Sequence, residues 1–251
     1  MRHIFIILCG CLFVACNKQT DIPPVKSLAA IQIYNAAPSY LNTTTSIAIS
    51  DTTGHTDSLI ATYNTVAGGA GGAFGVGAIG NAHYYYYKPG EYRVTFSDTA
   101  GHSVSAGILD MARDQHHTVY LTDSLGYFTN IISNDDVART EGKATIRLIN
   151  LSPDAGPVDL SLDSFPVTSA TAIRYGKIST FEVVPVTIKS GIRVTTSGAD
   201  PILLSRKSFP LETGRCYTLI LRGYINPPAV PGETLNDRLN RTISLSALIN
   251  Q

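Results

Sequence analysis

The 251 residues carry 19 Lys and Arg against 19 Asp and Glu, a formal charge of zero, with 44% hydrophobic residues, 13 tyrosines and no tryptophan. A chain so balanced lacks the basic patch that neutralises phosphates, which excludes nucleic acid as an expected partner. Its length suffices for two domains of common size, and Thr, Ser, Val, Ile and Tyr between turn residues give it a β-rich composition.

Met1 to Ala15 read as a presequence: Arg2 and His3 are the charged start, Ile4 to Leu12 the apolar run, and Phe13-Val14-Ala15-Cys16 the exit. The run is about half the length a membrane-spanning helix needs, so it fits a removable signal better than a permanent span. Ala15-Cys16 resembles the lipobox of bacterial lipoproteins of Bacteroidota type, with Phe13 where a leucine is usual. Leu8-Cys9-Gly10-Cys11 is a rival site, but cleavage before Cys11 leaves a very short apolar run and leaves the stretch through Val14 without a purpose. The resemblance implies cleavage before Cys16, acylation of its thiol, and a lipid-anchored place at the outer membrane of the cell envelope. Several acyl chains on one cysteine give stable anchoring. Residues 16–25, polar and then Pro23-Pro24, form an extended tether. With Cys9 and Cys11 removed and Cys16 acylated, Cys216 is the one remaining thiol, so the fold stands without an internal disulfide.

From here the chain reads as one plan used twice. Ala29-Ala30-Ile31-Gln32-Ile33-Tyr34-Asn35-Ala36-Ala37-Pro38 aligns with Ala144-Thr145-Ile146-Arg147-Leu148-Ile149-Asn150-Leu151-Ser152-Pro153. Each alternates apolar and polar residues before an Asn-x-small-Pro stop, which predicts a half-buried strand ending in a turn. Ser46–Ser50 and Asp159–Asp163 alternate in the same way. Gly90–Thr95 answers Gly191–Thr195, and His117–Leu121 answers Tyr217–Leu221. No stretch keeps a helical apolar period over three turns. The expectation is an all-β chain of two tandem immunoglobulin-like antiparallel β-sandwich domains, 26–134 and 142–251, joined by a polar linker at 135–141. Each strand has one apolar face, and two sheets covering each other remove those faces from water.

The second copy opens with Ala144–Pro153 followed by Asp154-Ala155-Gly156-Pro157-Val158-Asp159-Leu160. This apolar strand, Ser-Pro-Asp-Ala turn and Pro-Val-Asp step resemble the opening of domain-of-unknown-function family 4397. The first copy departs from it, with Ala37-Pro38-Ser39-Tyr40 at the turn. The resemblance implies an immunoglobulin-like sandwich in envelope lipoproteins and supplies no catalytic residues.

Among candidate sites, Tyr84-Tyr85-Tyr86-Tyr87 stands out, because side chains alternate in a strand and two rings should enter the core while two point outward. Outward tyrosines are platforms for sugar rings or anchors for a partner protein, unless the glycine-rich loop or the second domain covers them. Gly75-Val76-Gly77-Ala78-Ile79-Gly80 has dinucleotide-loop spacing but leads into no helix, and reads as a glycine-rich loop or a strand closely approached by another backbone. His116-His117 splits across a strand, and no Cys/His/carboxylate cluster has metal-ligand spacing, so no metal or cofactor is expected. Asp110 and Asp114 flank a turn, and Cys216 lies in an apolar strand as a buried thiol. Asp51-Thr52-Thr53, Asp57-Ser58-Leu59, Asp98-Thr99-Ala100 and Asp123-Ser124-Leu125 resemble envelope O-glycosylation triplets and are equally turn dipeptides. A Pro-rich insertion, Asn226 to Thr234, lies between the last two strands of the second copy. The expected function is a non-enzymatic structural or protein-interaction lipoprotein, with membrane contact through Cys16 and an envelope protein as partner. The alternative is glycan binding through the exposed tyrosines.

Overall fold

The computed structural model describes residues 27–40, 43–67, 79–163, 165–186, 190–198 and 202–250. Cys16 and most of the Gly75–Gly80 motif lie outside them. The first half contains β1 (Ala29–Asn35), β2 (Thr44–Asp51), β3 (Thr56–Thr62), β4 (Thr65–Val66), β5 (Ile79–Asn81), β6 (Tyr85–Tyr87), β7 (Gly90–Ser97), β8 (Ser103–Met111), β9 (His116–Ser124) and β10 (Tyr127–Asn134). The second contains β11 (Lys143–Leu151), β12 (Val158–Leu162), β13 (Phe165–Pro166), β14 (Lys177–Ile178), β15 (Glu182–Pro185), β16 (Ser190–Thr196), β17 (Ile202–Phe209), β18 (Cys216–Arg222), a short helix α1 (Leu235–Asn240) and β19 (Ser244–Ile249).

Strand order repeats between the halves. One sheet of each half is antiparallel throughout, β3-β2-β7-β8 in the first and β13-β12-β16-β17 in the second. The other is β10-β9-β1-β4 with β6 also on β1, matched by β14-β11-β18-β19 with β15 also on β11. The four sequence blocks aligned above fall on strands holding the same places in their sheets. These second sheets depart from an all-antiparallel arrangement, because β1 runs parallel to β9 and β11 parallel to β18. The all-β sandwich class stands, with mixed sheets as its refinement.

Each half has its own core between its two sheets. In the first, Ile31 and Ile33 meet Ile47, Ile49, Val94, Phe96 and Val119; in the second, Ile146 and Leu148 meet Leu160, Val194, Phe209 and Leu219. β2 shows the period that puts them there, with Thr45, Ile47 and Ile49 buried and Thr44 and Ser46 exposed.

β1 and β11 differ from the half-buried expectation. Every residue of β1 is buried, and so is every residue of β11 beyond Lys143. The cause is a third core, in which the outer faces of the mixed sheets stack: Tyr34, Ala36, Val66 and Tyr120 pack against Ile149, Leu151, Ile220 and Leu248. Four sheets therefore lie in layers, with the polar residues of the alternating pattern inside. Gln32 donates to Thr118 Oγ1 at 2.9 Å, and Arg222 donates to Tyr63 Oη at 2.7 Å across the halves. The halves also share a strand, since β5 pairs in parallel with β19 and Ala82 N–H donates to the Ile249 carbonyl at 2.9 Å. The described end of the glycine-rich run is thus a strand closely approached by another backbone.

Candidate functional site

Strand direction sets up two ends of the molecule. β1, β9, β11 and β18 all start at the end where the chain enters at Leu28 and where residues 135–142 cross between halves, and all run toward the opposite end. The Leu28 carbonyl accepts Asp114 N–H at 3.0 Å, and Asn250 N–H donates to the Cys216 carbonyl at 2.8 Å, so both halves close this entry end together.

At the far end lies a cleft of about 500 Å³ lined by both halves. From the first half come Pro38, Ser39 and Thr43 after β1, and Leu125 and Gly126 between β9 and β10; from the second come Tyr224, Pro228, Val230, Glu233, Asp237 and Arg241. Leu125 at φ 55° and Gly126 at φ 86° make the two-residue turn in the left-handed region that a tight hairpin uses. Asp123, fully buried, braces the turn: it accepts Gly126 N–H at 2.9 Å, Ser39 Oγ at 2.7 Å and Ser39 N–H at 3.1 Å. Leu125 N–H donates to Tyr224 Oη at 2.9 Å and ties the turn to the second half. Burial pushes the Tyr224 phenol up to about 12.

The other wall is the Pro-rich insertion and α1. Thr234 caps α1 with a capping box: Asp237 N–H donates to Thr234 Oγ1 at 3.1 Å, and Asp237 Oδ2 accepts Thr234 N–H at 2.9 Å. Buried Arg241 pairs with Glu233 and donates to the Pro228 carbonyl at 2.7 Å, which pins the insertion onto the helix end. Asp154 accepts Ile225 N–H at 2.8 Å and Asn226 N–H at 2.9 Å, and so fixes where the insertion leaves. Glu233 and Arg241 are paired with each other, while Leu125 and Val230 stay exposed on the cleft. Exposed apolar side chains gathered around a concavity are the mark of an interaction site rather than ordinary surface.

The four tyrosines separate. Tyr85 and Tyr87 pack on the first core, with Tyr85 Oη donating to the Ala67 carbonyl at 3.1 Å. Tyr84 turns between the halves, donates to Asp135 Oδ2 at 2.8 Å and stands edge-on to His116 at 5.1 Å. Burial, then the Asp135 charge, pushes its phenol far up. Tyr86 alone presents its ring outward, at 52% exposure, so the run offers one surface ring rather than a pair.

The remaining residues stand apart from the cleft, Asp123 excepted. His116 pairs with Asp136 at 2.9 Å while His117 points into the fold toward Gln115, as an adjacent pair on a strand must. Among the described residues no three His, Cys, Asp or Glu side chains gather as metal ligands. Asp110 sits opposite Glu91 in β8, and Asp114 occupies a left-handed turn at φ 63°. Asp51 and Asp98 close two hairpins alike, each accepting the N–H two and four residues on. The hydrogen bonds from Thr53 to Asp51, and from His102 to Asp98, hold both carboxyls below the usual 3.8. Cys216 is buried and free. Among the described residues no helix is long and apolar enough to cross a membrane.

The cleft escaped sequence reading because its residues are scattered from Pro38 to Arg241. The usable signal was the Pro-rich insertion followed by the Thr234-x-x-Asp237 cap.

No curated protein matches the chain. Among solved structures, a tip fimbrial protein of Porphyromonas gingivalis with a C-terminal truncation is 10% identical over 89% of this chain and 99% of that one, at a TM-score of 0.24. A putative cell adhesion protein of Parabacteroides distasonis is 8% identical over 89% and 98%, at 0.21. Likeness at these scores carries no argument. Residues 29–161 match the family model described as a domain of unknown function, DUF4397. The match spans the whole first half and reaches the second only through its opening, which contains the Ser152-Pro153-Asp154-Ala155 turn and the Pro157-Val158-Asp159 step. With more than half of the 251 residues inside it, the chain belongs to the DUF4397 family.

Proposed function

We propose that this protein is a non-enzymatic cell-envelope lipoprotein. In this reading two tandem β-sandwich domains, 26–134 and 142–251 with 135–141 between them, are anchored through acylated Cys16 and hold a partner protein in the far-end cleft. The observation that carries the reading is the position of the cleft. It lies at the end opposite Leu28, where the tether from Cys16 arrives, so a surface anchor presents it outward. The shared strand order of the halves supports the tandem arrangement, and the leader supports the anchor.

The partner is read as a protein because the cleft offers exposed aliphatic side chains with internally paired charges, which suits an apolar segment better than a polar ligand. The test is capture from native envelope extract with the acylated protein as bait, beside a Leu125→Asp/Val230→Asp variant. A protein retained by the native chain and lost by the variant is the expected result; equal retention by both sinks the cleft reading. A Cys16→Ala chain should leave the membrane fraction, and its persistence there would overturn the anchor. Glycan binding keeps one observation in its favour, the exposed ring of Tyr86. Polysaccharide retained by the native chain and lost in Tyr86→Ala would move the binding role there.

A further inference from the structure

The opposite end of the molecule carries a second apolar concavity, of about 310 Å³, at the edge of the second sandwich. Phe165 and Pro166 of β13 form one lip, and Val183 and Pro185 of β15 the other. Phe165 is 76% exposed and Val183 44%, and no element among the described residues covers them. Both belong to the entry end. Val183 pairs with Thr145 and Pro185 with Lys143 at the start of β11, and Leu162, which pairs with Phe165, ends a strand running back from the far end.

The two carboxylates beside the lips are tied down. Glu182 accepts Ser169 N–H at 2.7 Å and Thr168 Oγ1 at 2.9 Å, and these bonds outweigh the effect of burial, holding its carboxyl below the usual range. Asp163 accepts Gly191 N–H. What the edge offers outward is an aromatic ring, a valine and two prolines, with the hydrogen-bonded carboxylate of Asp163 exposed beside them.

We infer that this edge rests on the lipid surface, with Phe165 and Val183 entering the interfacial layer of the membrane to which the chain is anchored. The inference rests on the proposed acylation of Cys16. Twelve residue-to-residue steps lead from Cys16 to Leu28, and even fully extended they span about 40 Å at most, so the entry end stays within that distance of the lipid. Held at that range, an exposed aromatic ring flanked by aliphatic side chains partitions into the headgroup and acyl boundary. Two contacts, anchor and edge, fix an orientation that the tether alone leaves free.

The chain has no tryptophan, so Phe165→Trp gives a sole tryptophan, excited apart from the 13 tyrosines, at an exposed position. The acylated full-length variant is placed on phosphatidylcholine vesicles containing acyl-chain-brominated lipid, beside a Leu125→Trp variant reporting the far end. The expected result is a blue shift and strong quenching at position 165, with emission at 125 unchanged. If the protein sediments with vesicles but position 165 is unquenched, the inference is overturned while the anchor stands. Quenching at both positions also overturns it, since the molecule then lies flat. If the acylated chain fails to sediment and behaves as Cys16→Ala does, the anchor falls and the inference with it.

Discussion

Arg147 of β11 and Asp135, the first residue after β10, form a buried ion pair where the two halves meet, at 3% and 0% side-chain exposure. Asp135 spends its remaining capacity on Tyr84 Oη at 2.8 Å, Ser133 Oγ at 2.8 Å and Thr118 Oγ1, while Arg147 adds Thr218 Oγ1 at 2.9 Å and the Asn134 carbonyl at 2.7 Å. The junction is therefore a densely bonded polar knot inside the stack of sheets. A residue that sequence places in a polar linker is one of the most enclosed in the fold.

Removing one partner leaves the other buried and uncompensated. Arg147→Met should cost about 3–5 kcal/mol in urea unfolding. Asp135→Leu/Arg147→Met should recover only part of that, because Tyr84, Ser133 and Thr118 still lose an acceptor at about 1–3 kcal/mol for each group left unsatisfied. Full recovery in the double variant would show that the pair acts alone.

Gly223 follows β18 into the cleft floor at φ 80°, and a Cβ there would lie 2.6 Å from the Thr242 carbonyl oxygen and 2.7 Å from that of Arg241. Both are backbone atoms. Gly223→Ala should cost more than the roughly 1–3 kcal/mol of a strained dihedral alone, since α1 must also shift. Gly214→Ala, at φ 71° with nothing near its Cβ, should cost only the roughly 1–2 kcal/mol left-handed penalty. Equal losses in thermal unfolding would contradict the close approach.

Burial pushes the phenols of Tyr34 and Tyr224 up to about 12, and those of Tyr63 and Tyr120 upward as well. Each is held neutral in the folded chain, while in the unfolded chain it ionises near the ordinary 10.0. The stability this contributes is complete below that value and is lost as pH rises toward the folded values. Phenolate absorbance should lag behind that of free tyrosine and then rise together with loss of the fold. A smooth titration at the ordinary value, with the fold intact, would refute it.

Cys216 has no exposed surface, and burial raises its thiol. The mature acylated chain should give no reaction with a thiol reagent while folded, and one equivalent after unfolding. A thiol that reacts in the folded state would identify Cys16 as unmodified.

Sheets built on local alternation were legible in the sequence. Tyr92, Val94 and Phe96 of β7 alternate with outward Glu91, Arg93 and Thr95, and all three are buried. The outer faces of the mixed sheets were misread for a physical reason. Gln32 and Arg147 look like solvent-facing members of an alternating strand, and only the stacking of one half on the other encloses them. β5 was illegible because Ile79-Gly80-Asn81 has no period of its own, and its partner Ala247–Ile249 lies in the other half. Helix α1 is too short for its apolar spacing to register as a helical pattern.

The parallel course of β1 with β9, and of β11 with β18, has a mechanical meaning. A pull between the far-end cleft and the entry end acts along these strands, across the hydrogen bonds that join them. Those bonds are then loaded together in shear instead of being opened one after another as in a zipper. Pulling on the two ends in a force spectrometer should therefore meet higher unfolding forces than peeling β10 away from β9. A protein built this way can serve as a strut, stiff along the line that joins its far-end cleft to its entry end.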